Sequence, residues 1–251
     1  MSDALYLSLW YPNLRLEGLG DKLTAVLGEF AQHGGATRVY AATVWPVSWQ
    51  EAPVFQRVWG RMAAAAPGET PVVGVEPRVA VEETLEILHE DYAYEFQIGW
   101  SLWEAQRSGI RDQGSENKGP GDQGTEEKQP QILRSAQDDN SQIGSASQWA
   151  RVPLLVRVTG YGPLFDEGAY EQDGHVRIDF GSDAPFLEEE AELDATAARY
   201  MAENVRQLVE LTAAVEKASG ATARLLWSEL GESLAQRLAA RLAALPGGQR
   251  N

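Results

Sequence analysis

The chain has 251 residues, 43% of them hydrophobic, with three histidines, no cysteine and a formal net charge of −16. That length supports one large or two small domains with a real core, and the missing cysteine excludes disulfides, thiol catalysis and cysteine-ligated zinc. So acidic a balance speaks against nucleic acid and against anionic membranes, both of which need clustered Lys and Arg, so neither is expected as a partner.

The first predicted element is a strand over Ala4–Trp10. Leu5, Leu7 and Leu9 alternate with Tyr6, Ser8 and Trp10, and Pro12-Asn13 ends the run. The residues ahead of it lack the basic and long apolar regions of a signal peptide, and no apolar run approaches the roughly 20 residues that span a bilayer. The expectation is a cytoplasmic protein. A helix is predicted over residues 17–32 from Leu19, Leu23, Val26, Leu27 and Phe30, with Gly34-Gly35 as its stop. A second strand spans Thr37–Trp45. An aromatic stretch without clear period, Pro46–Trp59, follows, then a helical turn over 61–66, a short strand over 71–75 and a helix over 79–90.

Tyr92–Trp103 is the clearest element in the chain. Tyr92, Tyr94, Phe96, Ile98, Trp100 and Leu102 fall on one side of an extended backbone, and Ala93, Glu95, Gln97, Gly99 and Ser101 on the other. This is a half-buried strand with a wide aromatic inner face. From Ser108 to Ser147 the composition turns to Gly, Gln, Asp, Glu, Ser and Asn, which cannot bury enough surface to offset the entropy of ordering. Residues 108–147 are therefore read as a disordered, low-complexity insertion within a single domain spanning 1–251. The piece Gln131-Ile132-Leu133-Arg134-Ser135-Ala136-Gln137-Asp138-Asp139 resembles insertion sequences scattered through unrelated bacterial proteins; the resemblance covers only the insertion and implies no activity.

Beyond it, Val152, Leu154, Val156 and Val158 alternate until Gly160-Tyr161-Gly162-Pro163 breaks the run, and His175–Phe180 forms the next strand. An antiparallel meander of these two with the aromatic strand is the simplest arrangement. A long helix follows from Asp194, or as early as Pro185, to Ser219. It carries Met201, Val205, Leu208, Thr212 and Val215 on one stripe, and Gly220 closes it. A short strand over Ala223–Trp227 and a leucine-striped helix after Leu230 complete the chain. The fold expected is α+β: a largely antiparallel twisted sheet with helices packed mainly on one face. Its N-terminal third could form a β-α-β-β-α-β unit of the split β-α-β kind.

Catalytic signatures are sparse. The sequence has no Lys-Ser/Thr phosphate loop and no G-x-S-x-G elbow. Gly160-Tyr161-Gly162-Pro163 lacks the third glycine and the following helix of a dinucleotide fingerprint. His89 has Ala93 where a zincin needs its second histidine, so His89 and His33 read as helix-end residues. The sharpest candidate is acidic: between Asp166 and Asp194 eleven acids face Arg177 alone, −10 of the net −16. Asp166, Glu167, Glu171, Asp173 and His175 share one loop, though Ala169 stands where an EF-hand would place an acid. Glu188, Glu189 and Glu190 precede a helix. Trp10 and Trp103 fall opposite the apolar face of their strands, so they either meet a second layer or lie exposed.

These residues together suggest a non-catalytic, acidic module that binds a basic protein partner, as an immunity protein or a regulator does. Two alternatives stand beside it. One is a carboxylate- or metal-dependent hydrolase using 166–194, although no cofactor or metal is indicated by spacing. The other is a small-ligand module with an aromatic pocket, lined by Tyr92, Tyr94 and Trp100.

Overall fold

A computed structural model describes residues 3–34, 38–60, 74–106, 148–187, 194–229 and Arg237. By internal contacts the chain divides into two units, Met1–Glu104 with Trp149–Asn251, and Ala105–Gln148. Nearly all described residues belong to the first. The expected insertion at 108–147 and the leucine-striped helix lie outside the described residues, apart from helical Arg237.

The chain is α+β. Seven strands form one open antiparallel sheet: β1 (Ala4–Trp10), β2 (Val39–Pro46), β3 (Phe55–Val58), β4 (Tyr92–Gln106), β5 (Gln148–Tyr161), β6 (Val176–Ser182) and β7 (Ala223–Ser228). Their spatial order is β3-β2-β4-β5-β6-β1-β7. The helices are α1 (Leu19–Gly34), α2 (Pro77–Thr84), the single turns α3 (Tyr170–Asp173) and α4 (Ala184–Leu187), and α5 (Ala195–Ser219).

The period-two pattern of each strand delivers one apolar face to the helices. Leu5, Leu7 and Leu9 of β1, Tyr94 to Leu102 of β4, Val156 and Val158 of β5 and Val176 to Phe180 of β6 are all buried there. Leu19, Leu23, Val26, Leu27 and Phe30 of α1 cover them, together with Val205, Leu208, Leu211 and Val215 of α5. Trp100 sits at the centre, edge-on to Phe30 at 6.1 Å, 5.5 Å from Phe180 and stacked on Phe186 at 5.9 Å. Burying each such side chain stabilises the fold by about 1.5–3 kcal/mol. The cluster makes the aromatic strand the middle of the core, as its alternation predicts.

Helix α5 has clear boundaries. The Asp194 carboxylate accepts from the N–H groups of Thr196 (2.9 Å) and Ala197 (2.7 Å), satisfying two of the orphan donors of the first turn. Gly220, at φ +70°, ends it in the left-handed region. The expected start at Pro185 belongs instead to α4, a separate turn. Midway along α5, the buried Asn204 side chain takes the place of a strand. Its Oδ1 accepts from the Trp103 N–H and its Nδ2 donates to the Trp103 carbonyl, each at 2.9 Å, beyond Ile98, the last β4 residue paired in register with β2.

Several expectations shift. The meander β4-β5-β6 forms, but β5 runs on through Gly160 and Tyr161 before it ends. The chain order β-α-β-β-α-β is met with Phe55–Val58 as its third strand; of 71–75, Val75 makes only an isolated bridge to Val39, and 71–73 lie outside the described residues. The split β-α-β placement does not occur. β1 lies between β6 and β7, with three strands between it and β2, because its register is set by partners far along the chain. The helix expected over 79–90 starts at Pro77, whose fixed φ suits a first turn, and tightens into a 3-10 turn that ends at Ile87.

Candidate functional site

The side of the sheet away from the helices is largely polar. Arg157 pairs across strands with Asp179 (3.3 Å), and Trp227 donates its ring N–H to the Ser8 hydroxyl (3.1 Å). At one end this polar face is built up. β1 ends there, β5 ends at Tyr161 and β6 begins after His175, and residues 162–174 fold over the strand termini. Phe165 packs under Trp49 (5.0 Å) and beside Tyr161 (5.9 Å), forming a small apolar cluster with Ala93 and Trp45.

Two glycines let this segment lie so close. Gly162 donates to the Tyr92 carbonyl at 2.8 Å, and a Cβ on it would collide with the Glu90 carbonyl. Gly174, at φ +87°, would place a Cβ 2.7 Å from the Leu9 nitrogen of β1. Backbone strain concentrates in the same region. The non-glycine residues with left-handed φ among the described residues are Asn13 (52°), Val47 (57°), Asp166 (45°) and Glu167 (56°). Val47 is the costliest, being β-branched. It is held by donating to the Asp91 carbonyl and by accepting from the Asp166 N–H, both at 2.7 Å. Strain of this kind, about 1–3 kcal/mol per residue, persists where surrounding contacts enforce it and clusters at functional sites.

Between this segment and the β1–α1 loop is a cavity of about 300 Å³. Tyr11, Tyr161, Tyr170 and His175 supply ring walls, Leu14, Leu16, Leu19 and Pro163 the aliphatic surface, and Asn13 and Arg15 the remaining polar groups. A shallower groove shares Tyr11 and residues 13–15 and extends toward Lys22 and Gly220. His175 stacks on Tyr170 at 4.9 Å, and its Nδ1 accepts the Tyr11 N–H at 3.2 Å. That bond leaves Nε2 as the protonated nitrogen, and Nε2 has no partner among the described residues. Burial lowers the His175 pKa below its ordinary value, which keeps the ring neutral.

Burial also raises the phenols. Tyr11 is pushed up to about 12. Its hydroxyl lies near that of Ser219 but has no hydrogen-bond partner among the described residues, while the Ser219 hydroxyl donates to the Val215 carbonyl. The Lys22 ammonium sits 5.1 Å over the Tyr11 ring and donates to the Ser219 carbonyl at 2.8 Å, at the negative end of α5. Tyr161 is raised further still, mainly by burial, with its hydroxyl 3.5 Å from the Asp173 carboxylate.

The predicted site residues divide. His175 lines the cavity. Trp10 is beside it, its ring N–H 3.4 Å from the Glu171 carbonyl. Asp173 is held by Arg177 at 2.6 Å, and the Arg177 guanidinium lies over the rings of Tyr6 and Tyr161. Asp166, Glu167 and Glu171 are exposed on the overlying segment and pair with no cation among the described residues. Trp103 is eleven residues along β4 from Tyr92, roughly 35 Å by strand geometry. It is half-buried against Tyr200 of α5 (ring centroids 4.2 Å) and not beside the acids. Glu188, Glu189 and Glu190 lie outside the described residues. Among the described residues, no group of three or more His, Asp or Glu is disposed to hold a metal ion.

Acids that crowd the sequence are thus partly consumed by folding. Asp173 pairs with Arg177, Asp179 with Arg157 and Asp183 with Arg237, while Asp194 caps a helix. The rings expected to line a pocket, Tyr94 and Trp100, are core residues with no opening to solvent. Tyr11, Asn13, Arg15, Tyr161 and Tyr170 were not singled out by the sequence. Tyr11 and Tyr161 share one signal, a strand-end tyrosine followed by a proline turn, Tyr11-Pro12 and Tyr161-Gly162-Pro163. No family model matches the chain, and no curated protein or solved structure matches it either.

Proposed function

We propose that this chain is a small-molecule-binding module whose site is the ring-walled cavity at the Tyr11–His175 end of the sheet. The observation that carries the reading is a cavity of about 300 Å³ with convergent polar groups, at the lower end of the size range of ligand pockets. Its walls sit on strand termini braced by the core, so the site is preorganised. The concentration of left-handed backbone around it supports the same assignment. A library of small aromatic fragments, followed by amide NMR shifts, tests it. Shifts should cluster at Tyr11, Tyr161, Tyr170 and His175 and vanish in Pro163→Trp, which plugs the exposed rim. Fragment shifts scattered elsewhere, or unchanged by the plug, would sink the reading.

A second reading is the protein-binding one, carried by the surface above the cavity. Asp166, Glu167 and Glu171, without a cationic partner among the described residues, adjoin Leu164 and Val47, which are 57% and 56% exposed. A basic partner with an apolar tip would suit that combination. Affinity for such a partner should fall steeply between low and high salt; salt-independent capture would count against it. No helix among the described residues is long and apolar enough to cross a membrane.

A further inference from the structure

The geometry points to a ligand class for this cavity: a flat aromatic molecule carrying one negatively charged carboxylate. The inference rests on the cavity being a binding site and adds what it selects.

The polar inventory of the wall is one-sided. Ten residues line the cavity and none is Asp or Glu, although the chain carries 37 acids against 21 Lys and Arg. The one charged wall residue is Arg15. It is exposed, and its side chain makes no ion pair or hydrogen bond among the described residues. Arginines elsewhere on the surface are committed: Arg157 to Asp179, Arg177 to Asp173, Arg224 to Glu216. An uncommitted guanidinium offers a planar fork of N–H donors that matches the two oxygens of a carboxylate. Among the described residues the His175 Nε2–H and the Tyr11 hydroxyl are further wall donors without a partner, and Asn13 can serve as donor or acceptor. A cation in the cavity would meet Arg15 and no acid on the wall; Glu17 lies in the adjoining groove. A multiply charged anion would meet one arginine only, since the Lys22 ammonium in the adjoining groove already donates to the Ser219 carbonyl.

Shape sets the rest of the molecule. Tyr11, Tyr161 and Tyr170 present ring faces or edges, with His175 stacked on Tyr170. Such walls favour a flat ring that can stack offset or edge-to-face. About 300 Å³ accommodates a ring with its substituent.

Isothermal titration of the full chain with benzoate, benzamide and benzylamine tests this, since the three share a ring and differ in charge. Benzoate should bind at least tenfold more tightly than benzamide, and benzylamine should give no heat. Arg15→Gln should weaken benzoate about tenfold while leaving benzamide within twofold; Arg15 makes no contact the fold needs. Tyr170→Ala should weaken both. If benzamide equals benzoate, or if Arg15→Gln leaves benzoate unchanged, the anion selectivity is wrong while the cavity stands as a site. If none of the three binds, and the fragment library also leaves these residues unshifted, the binding reading fails and this inference with it.

Discussion

Aromatic rings gather twice in this molecule, with opposite results. Under the helices, Trp100, Phe30, Phe180 and Phe186 fill the space between sheet and helices and leave nothing to bind. At the end of the sheet, Tyr11, Tyr161, Tyr170 and His175 surround a cavity and keep polar atoms at its wall. Residue type does not separate the two groups. Position does: rings in the middle of a strand meet a helix, whereas rings at strand termini meet loops, whose backbone cannot pack as closely. The contrast teaches that a ring supports the fold or frames a site according to what lies opposite it.

The sharpest way to test the contrast is to truncate one ring from each group. Trp100→Ala should cost about 3–5 kcal/mol, read as a lower urea midpoint at unchanged slope, because its neighbours cannot close the gap. A loss under 1 kcal/mol would mean that the centre is loosely packed. Next in size is Gly174→Ala, which puts a methyl against the β1 backbone at φ +87° and should cost about 2 kcal/mol or more. It should also shift the amide signals of His175 and Tyr11 more than those of Trp100. Tyr170→Ala comes third. Its ring covers a cavity and not the core, so stability should change by about 1 kcal/mol or less while fragment binding is lost. An equal loss of stability from Tyr170→Ala and Trp100→Ala would erase the distinction.

The smallest effect concerns pH. The His175 pKa is lowered in the fold by burial from its ordinary 6.5. Below 6.5 the unfolded chain takes up a proton that the folded chain does not, so stability falls as pH drops through that window. Asp173 and Arg177 nearby are already paired with each other. His175→Gln should flatten the slope of stability against pH just below 6.5; an unaltered slope would place the titration elsewhere.

How much of this could be read from sequence depends on where the information lies. β1 is predicted residue for residue because strict alternation ends at Pro12-Asn13. The main span of α5 is predicted because Asp194 and Gly220 mark it chemically. β3 is missed because Phe55–Val58 offers only four residues on a sheet edge, with Gln56 and Arg57 between its apolar ends, too short for a period to declare itself. The acidic stretch misleads for a different reason. Its neutralising partners Arg157 and Arg237 come from other elements, and only the register of β5 on β6 brings Arg157 to Asp179. The cavity is harder still, since its walls come from the β1–α1 region, the end of β5 and the segment before β6. His175 was picked out as a member of an acidic loop, yet its place is among tyrosines.

The position of β1 bears on how the protein is made. Leu5 is paired with Ser228 on one side, and Leu9 with Val176 on the other. β1 therefore leaves the ribosome long before the strands it pairs with. At about 5–20 residues per second that delay is roughly 10–45 s, with three alternating leucines and both edges unpaired. Meanwhile β2 to β5 can associate among themselves. During synthesis, then, the stretch most in need of protection by a chaperone is β1, and its insertion between β6 and β7 is the natural candidate for the slow closing event of folding.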